Sequence, residues 1–153
     1  MNRVGRDGEK LLYRLGKQER SLFLTVLDRY PLIPPAHQPV SKDPPARELE
    51  HCQQLLDEAL AEQRRENRYR LKALLQDPQR FREIPDGWLL VLSPADREWL
   101  LQILNDVRVG SWLRLGSPEE DLPEMDLEAE TAPDALTMHM AGHFQMRLLE
   151  QPA

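Results

Sequence analysis

Apolar residues along the chain form two short runs, each followed by a helical repeat. Residues 10–15 make the first run, which Gly16 ends, and residues 88–92 make the second. After each run, apolar positions recur three and four residues apart, which is the spacing of one helical face. The pattern predicts two strand-then-helix units, with helices over 17–30 and 94–115. The two strands can pair as a small ribbon.

The second of these helices has the clearest start signal in the sequence. Ser93 suits the N-cap position, Pro94 the first helical position and Asp96 the third. We predict that this helix is the centre of the core. The positions expected to be almost fully buried are Leu100, Leu104 and Val107.

Two further helices are predicted, over about 45–76 and 133–150. The apolar stripe of the longer one is interrupted by Gln63 and Asn67. Either this helix projects past the core, or it breaks near its middle, or its polar residues lie in an interface. Cys52 belongs to the apolar part of the stripe and is expected to pack in the core.

The same long helix carries a cluster of basic side chains. The cluster comprises Arg64, Arg65, Arg68, Arg70 and Lys72. We interpret it as a solvated helical face, with a docking surface for an acidic partner as the alternative.

These elements predict a mostly α fold, a small helical bundle with at most a short two-stranded β ribbon. Residues 1–122 form a single helical domain, and residues 31–46, which hold six of the thirteen prolines, are a stiff connection inside it. Residues 123–153 form an acidic linker followed by the last helix.

Charge and composition narrow the function classes. Net charge is −6, but residues 119–130 hold seven acids and no base, so the rest of the chain is nearly neutral. Such a chain is a poor candidate for nucleic-acid binding. No apolar run approaches the roughly 20 residues that a membrane helix needs, and no signal peptide is visible. A cytoplasmic location without membrane contact is expected.

No catalytic motif is apparent. The sequence has no G-x-S-x-G, no phosphate-binding loop, no Rossmann glycine pattern and no H-E-x-x-H. We therefore predict a protein that is not an enzyme and needs no cofactor, with an unrecognised catalytic site as the least favoured alternative.

One candidate metal site comes from the last predicted helix. His139 and His143 are four residues apart, so their rings can share one helical face and chelate a metal ion. The acidic segment before them could add carboxylate ligands.

A candidate anchor for a ligand or partner lies on the predicted core helix. Arg114 falls inside its apolar sector, Arg108 falls at the edge, and Asn105 and Asp106 flank it. A buried guanidinium needs a carboxylate, because an unpaired buried charge is costly. Arg114 is therefore either in a structural ion pair or extended to the surface, or it anchors a ligand or partner. The candidate acids are Asp28, Asp57 and Glu58.

The same helix resembles a known signature. Residues 104–108 read LNDVR, and Arg114-Leu115-Gly116 and then acidic residues follow. This resembles an uncharacterised bacterial helical family, the domain of unknown function numbered 2017, over roughly residues 8–120, with the specific part at 99–120. The stretch 109–113 departs from that family. The resemblance implies a helical protein without an established activity, and a gene next to that of a Clp protease adaptor.

We therefore predict a non-enzymatic interaction or regulatory protein, linked to regulated proteolysis through that resemblance. It would act through a protein partner or through self-association, most simply as a homodimer. The alternative is a small-ligand or metal-binding helical protein.

Overall fold

The computed structural model describes residues 1–34, 47–119 and 128–151, apart from the side chains of residues 47 and 49. The elements in chain order are β1 (Asn2–Asp7), β2 (Lys10–Leu15), α1 (Lys17–Asp28), α2 (Arg47–Gln76), β3 (Phe81–Ile84), β4 (Gly87–Leu92), α3 (Pro94–Arg114) and α4 (Ala132–Leu149). Most of the predicted proline-rich connection and much of the predicted acidic linker lie outside the described residues.

The strands form one antiparallel sheet in the order β1-β2-β4-β3. The predicted ribbon is its centre, where Tyr13 of β2 lies opposite Leu90 of β4. The β3–β4 hairpin is closed by Gly87, whose φ of +150° favours glycine. A Cβ at this position would lie 2.3 Å from the carbonyl oxygen of Leu15, so the close approach of β2 and β4 also requires glycine.

The prediction of a mostly helical bundle with a short ribbon, and with it the all-α class, is wrong. The described residues combine four helices with a four-stranded sheet, which is a mixed α and β fold. The two unpredicted strands are the edges of the sheet. β1 reads NRVGRD and β3 is only four residues long, so neither has an apolar alternation. Edge strands form through backbone pairing with an apolar neighbour, which leaves little trace in the hydrophobic pattern.

One face of the sheet supplies buried residues to the core. The side chains of Leu11, Tyr13 and Leu15 are fully buried there, as are those of Leu90 and Leu92. The Tyr13 hydroxyl donates a 2.8 Å hydrogen bond to the carbonyl of Leu148 in α4, which ties the sheet to the last helix.

The predicted core helix is confirmed. The Ser93 hydroxyl accepts a 3.0 Å hydrogen bond from the backbone N–H of Asp96, so the N-cap is formed. Leu100, Leu104 and Val107 are fully buried in the core cluster.

Helix α4 packs along α3 and belongs to the same core. Phe144 of α4 meets Phe23 of α1 edge-on, with ring centroids 5.0 Å apart. This contact joins α1 to α4, so the three helices pack together in one core.

Helix α2 is continuous over 30 residues, or about 45 Å. Among its described side chains, only Leu71 and Leu74 are buried. Cys52 is exposed, so its predicted place in the core is wrong. The N-terminal half of α2 therefore runs past the core, which was one of the three interpretations of its interrupted stripe. Within the described part of the chain, no helix combines the length and apolar character needed to cross a membrane.

Candidate functional site

The four predicted anchor residues of α3 do not form one site. Arg108 and Asn105 are both exposed and bond to each other, with 2.9 Å between the guanidinium and the amide oxygen. Asp106 lies on another side of the helix, and Arg114 lies near its C-terminal end. A single ligand anchored by all four is therefore not supported.

Asp106 holds the segment that follows α1. One of its carboxylate oxygens accepts the backbone N–H of Leu32 at 2.7 Å and that of Ile33 at 3.3 Å. From α2, Arg64 donates to the carbonyl of Ile33. Gly110 makes the approach possible, because a Cβ there would lie 2.6 Å from the Cβ of Leu32. This role of Asp106 is structural.

Arg114 has a carboxylate partner, as the desolvation argument requires, but the partner and the burial differ from the prediction. Its Nε donates to Asp134 of α4 at 3.1 Å, and its side chain is 56% exposed. Asp134 is buried and also accepts a 2.7 Å hydrogen bond from Arg29. Arg29 donates in turn to Thr137 at 3.2 Å. Two arginines thus converge on one acid where α1, α3 and α4 meet.

The predicted metal pair is only partly accessible. His139 is exposed, while His143 is half-buried and lies 5.5 Å from the ring of Phe144. Burial, followed by the nearby Arg147, lowers the pKa of His143. Among the residues that the structure describes, no three His, Cys, Asp or Glu side chains are grouped to hold a metal ion. The acidic residues 120–127 lie outside the described residues.

The polar middle of α2 is where this helix is fastened to the body. The Asn67 amide donates a 2.9 Å hydrogen bond to the Tyr30 hydroxyl and accepts one of 3.0 Å from the Trp99 indole. One turn further on, Arg70 lies 4.3 Å from the centroid of the Trp99 ring and pairs with Asp96 at 2.9 Å. The polar residues that interrupt the stripe are therefore structural contacts within the chain.

The Arg70–Asp96 pair joins α2 to α3, and its contribution to stability depends on pH. Burial alone would raise the pKa of Asp96, but hydrogen bonds from Arg70 and Ser93 outweigh burial and hold this pKa below its usual value. A carboxyl whose pKa is lowered by folding stabilises the fold above about pH 4, near its unfolded pKa. That contribution is lost as the pH falls through the lowered folded pKa.

We therefore expect the urea midpoint of the wild type to fall more steeply between about pH 5 and pH 3 than that of Asp96→Asn. The variant removes this titration but leaves the other acids in place. Parallel pH profiles for the two proteins would contradict the assigned pKa shift.

A groove runs along the side of α2 that faces α1. Its first part has a volume of about 570 Å³. Leucines from both helices line it, namely Leu24, Leu27, Leu71 and Leu75. Charged side chains also line it, and these are Asp28, Arg68 and Lys72. An apolar floor with a charged rim is the usual form of a site for an amphipathic helix.

The groove continues past Arg68 toward the N-terminal half of α2. This second part has a volume of about 500 Å³ and ends near Pro31 and Asp57. The remaining lining residues are Leu60, Ala61, Arg64, Arg65 and Arg68. Each part of the groove therefore combines one carboxylate with cations: Asp28 in the first part and Asp57 in the second.

A smaller polar pocket lies on the opposite side of Arg64. Its volume is about 150 Å³. The side chains that line it are Tyr30, Leu60, Gln63, Arg64, Asn67, Gln102, Ile103 and Asp106. It offers amides, a phenol and a carboxylate to a very small molecule.

Several residues of these sites were not predicted. Asp134 and Arg29 were missed because a contact between residues 105 positions apart leaves no local pattern. The basic cluster on α2 was visible, but the α1 wall of the groove could not be inferred from α2 alone. Helical periodicity identifies a face and does not identify what covers it.

Comparison with known proteins assigns no family. No family model, no curated protein and no solved structure matches the chain. The resemblance of residues 99–120 to the family named above stays a prediction. The features that indicate a function are the groove and the exposed part of α2.

Proposed function

We propose that the protein is a non-enzymatic interaction protein that binds another polypeptide along the groove beside α2. The observation that carries this proposal is the length of α2 beyond the core. Leu71 and Leu74 are the buried side chains among those described on this helix, while Leu55 is 51% exposed. Isolated helices gain little stability from propensity alone. A partner that covers the N-terminal half of α2 would bury the apolar positions that this chain leaves open.

The groove supports a helical or extended polypeptide as the partner. Its two parts lie along α2 on both sides of Arg68, so one polypeptide segment can contact both of them. A role in regulated proteolysis remains part of the proposal through the resemblance alone. So does a cytoplasmic location, since Cys52, the only cysteine, allows no intrachain disulfide.

The polar pocket of about 150 Å³ favours a second candidate function, the binding of a small ligand. Ligand pockets are commonly about 300–1,000 Å³, so this one would admit only a molecule of a few heavy atoms. Such a ligand would raise the thermal unfolding midpoint of the wild type more than that of Gln102→Leu. Peptide binding along the groove would be unaffected by the same variant, because Gln102 does not line the groove.

The proposed function predicts that two changes in the groove abolish partner binding. The wild type and Leu60→Asp/Ala61→Asp are tagged and purified from cells that also express the untagged chain. Both positions line the second part of the groove, so the introduced carboxylates should reduce the recovered partner at least tenfold, because each would be buried against the partner. The measurement is quantitative mass spectrometry of the co-purified proteins.

The matched control is Met146→Asp/Leu149→Asp, which changes two exposed apolar residues of α4. It should retain the partner at the wild-type level. Equal recovery by all three proteins would contradict a binding role for α2. So would a wild type that retains no stoichiometric polypeptide, neither a second copy nor another protein.

A further inference from the structure

We propose that the polypeptide bound along α2 is a second copy of this chain, with the two α2 helices antiparallel. The acidic half of each helix would lie beside the basic half of the other. This inference rests on the proposed function, because it names the partner of the same groove.

Charge is segregated along α2. Residues 47–62 hold five acidic and one basic residue, and residues 63–76 hold five basic and one acidic residue. Two copies in parallel would bring like charges together. An antiparallel pair brings each acidic half to a basic half, and it does so twice because the arrangement has twofold symmetry.

The groove offers charges of both signs to a second copy. Asp57 lines the end toward the N-terminal half together with three arginines, while Arg68 and Lys72 line the other end with Asp28. Arg68 and Lys72 are exposed, and within the described residues neither has a hydrogen-bond or salt-bridge partner. By contrast, Arg64 and Arg70 of the same helix are bonded within the chain. The unpaired cations are thus the ones that a carboxylate from outside can reach.

The apolar parts of the groove are complementary in the same arrangement. Leu24 and Leu75 are half-buried at the end toward the C-terminal half of α2, beside the exposed Arg68 and Lys72. From the N-terminal half, Leu60 offers a half-buried apolar side chain. A twofold axis near the midpoint of α2 brings the Leu60 regions of the two copies together. Because both copies use the same surface, association stops at two.

Charge reversal tests this pairing in the full chain. One variant carries Asp57→Lys and Glu58→Lys, and a second carries Arg68→Glu and Lys72→Glu. Each should be monomeric under conditions where the wild type is a dimer, with a dissociation constant raised at least tenfold. An equimolar mixture should form a heterodimer, because both contacts are then between opposite charges. Light scattering after size exclusion measures the mass, and circular dichroism checks that each variant is folded.

The matched control is Glu9→Lys/Lys17→Glu, which reverses two exposed charges away from α2. It should dimerise like the wild type. Variants that remain dimeric alone, or a mixture that stays monomeric, would overturn the charge-paired arrangement.

Cross-linking tests the direction of the helices independently of charge. Cys52, the only cysteine, would lie roughly 30 Å from its copy in a fully overlapped antiparallel pair. Ala61 lies near the midpoint of α2, next to the expected twofold axis. Cys52→Ser/Ala61→Cys should therefore form a cross-linked dimer with a short bismaleimide, and the wild type should not.

Efficient cross-linking through Cys52 would show a parallel pair and overturn the inference. A wild type that stays monomeric at about 1 mM would do the same. If that monomer still retained another protein that Leu60→Asp/Ala61→Asp loses, the proposed function would stand and only the second copy would be excluded.

Discussion

Truncating Leu104 to alanine is expected to lower the free energy of unfolding by about 2–5 kcal/mol. Leu104 is 0% exposed and lies in the middle of α3, within the core cluster that joins the helices and the sheet. Protein interiors are close-packed, so the lost side chain leaves a cavity that its neighbours fill only in part. The loss combines the transfer free energy of the removed atoms with the cost of that cavity.

Guanidinium unfolding at constant m-value measures this change. The control is Leu149→Ala on α4, whose side chain is 57% exposed. It should change the free energy of unfolding by no more than about 0.5 kcal/mol. A Leu104→Ala effect as small as that of the control would mean that α3 is not the centre of the core.

The core helices and central strands could be predicted because the spacing of their own apolar residues indicates which side chains are buried. α3 combines a Ser93 cap with apolar positions three and four residues apart, and the structure places its ends within one residue of the prediction. The strands β2 and β4 are apolar runs beside such helices. Each of these elements buries its own side chains, so its own sequence contains the signal.

The edge strands could not be predicted in this way. Residues 2–7 and 81–84 are held by backbone hydrogen bonds to β2 and β4. Their side chains are mostly polar, and the bulge between Arg3 and Gly5 breaks any alternation in β1. The hydrophobic pattern therefore underestimates the sheet, and the fold class was wrong for that reason.

Helix α2 shows the opposite error. Its apolar stripe predicts a buried face around Cys52, yet Cys52 is exposed. Only near Leu71 and Leu74 does the stripe meet the core. An amphipathic pattern predicts that one face of a helix is buried. It does not indicate whether that face is buried by the same chain or by another one. The proposed function rests on this difference between the burial that the stripe predicts and the exposure that the structure shows.

For Arg114, the sequence identifies the need for an acid but not the acid. The predicted candidates lay on helices near α3. The observed partner is Asp134, the third residue of α4. Arg29, at the C-cap of α1, shares the same carboxylate. Pairing of this kind depends on how α4 docks, and no local spacing encodes that.

Removing Asp134 is the second change with a large expected effect. Asp134→Ala should lower the free energy of unfolding by about 1–3 kcal/mol, because it leaves the Arg29 guanidinium without its charged partner. The Arg29 side chain is only 25% exposed, so water replaces the lost carboxylate poorly. Arg114→Met should cost less than about 1 kcal/mol, since Arg114 is 56% exposed and its pair is screened by solvent.

A double-variant cycle separates the stranded cation from a simple loss of packing. If the stranded charge causes the loss, Asp134→Ala/Arg29→Met should be more stable than Asp134→Ala alone, because the uncompensated guanidinium is gone. If Asp134 contributes only by packing at the start of α4, the two losses should add. Urea unfolding of the four proteins at neutral pH measures both outcomes. Additive losses would show that Arg29 does not depend on this acid, and an Arg114→Met effect equal to that of Asp134→Ala would contradict the screening of the Arg114 pair by solvent.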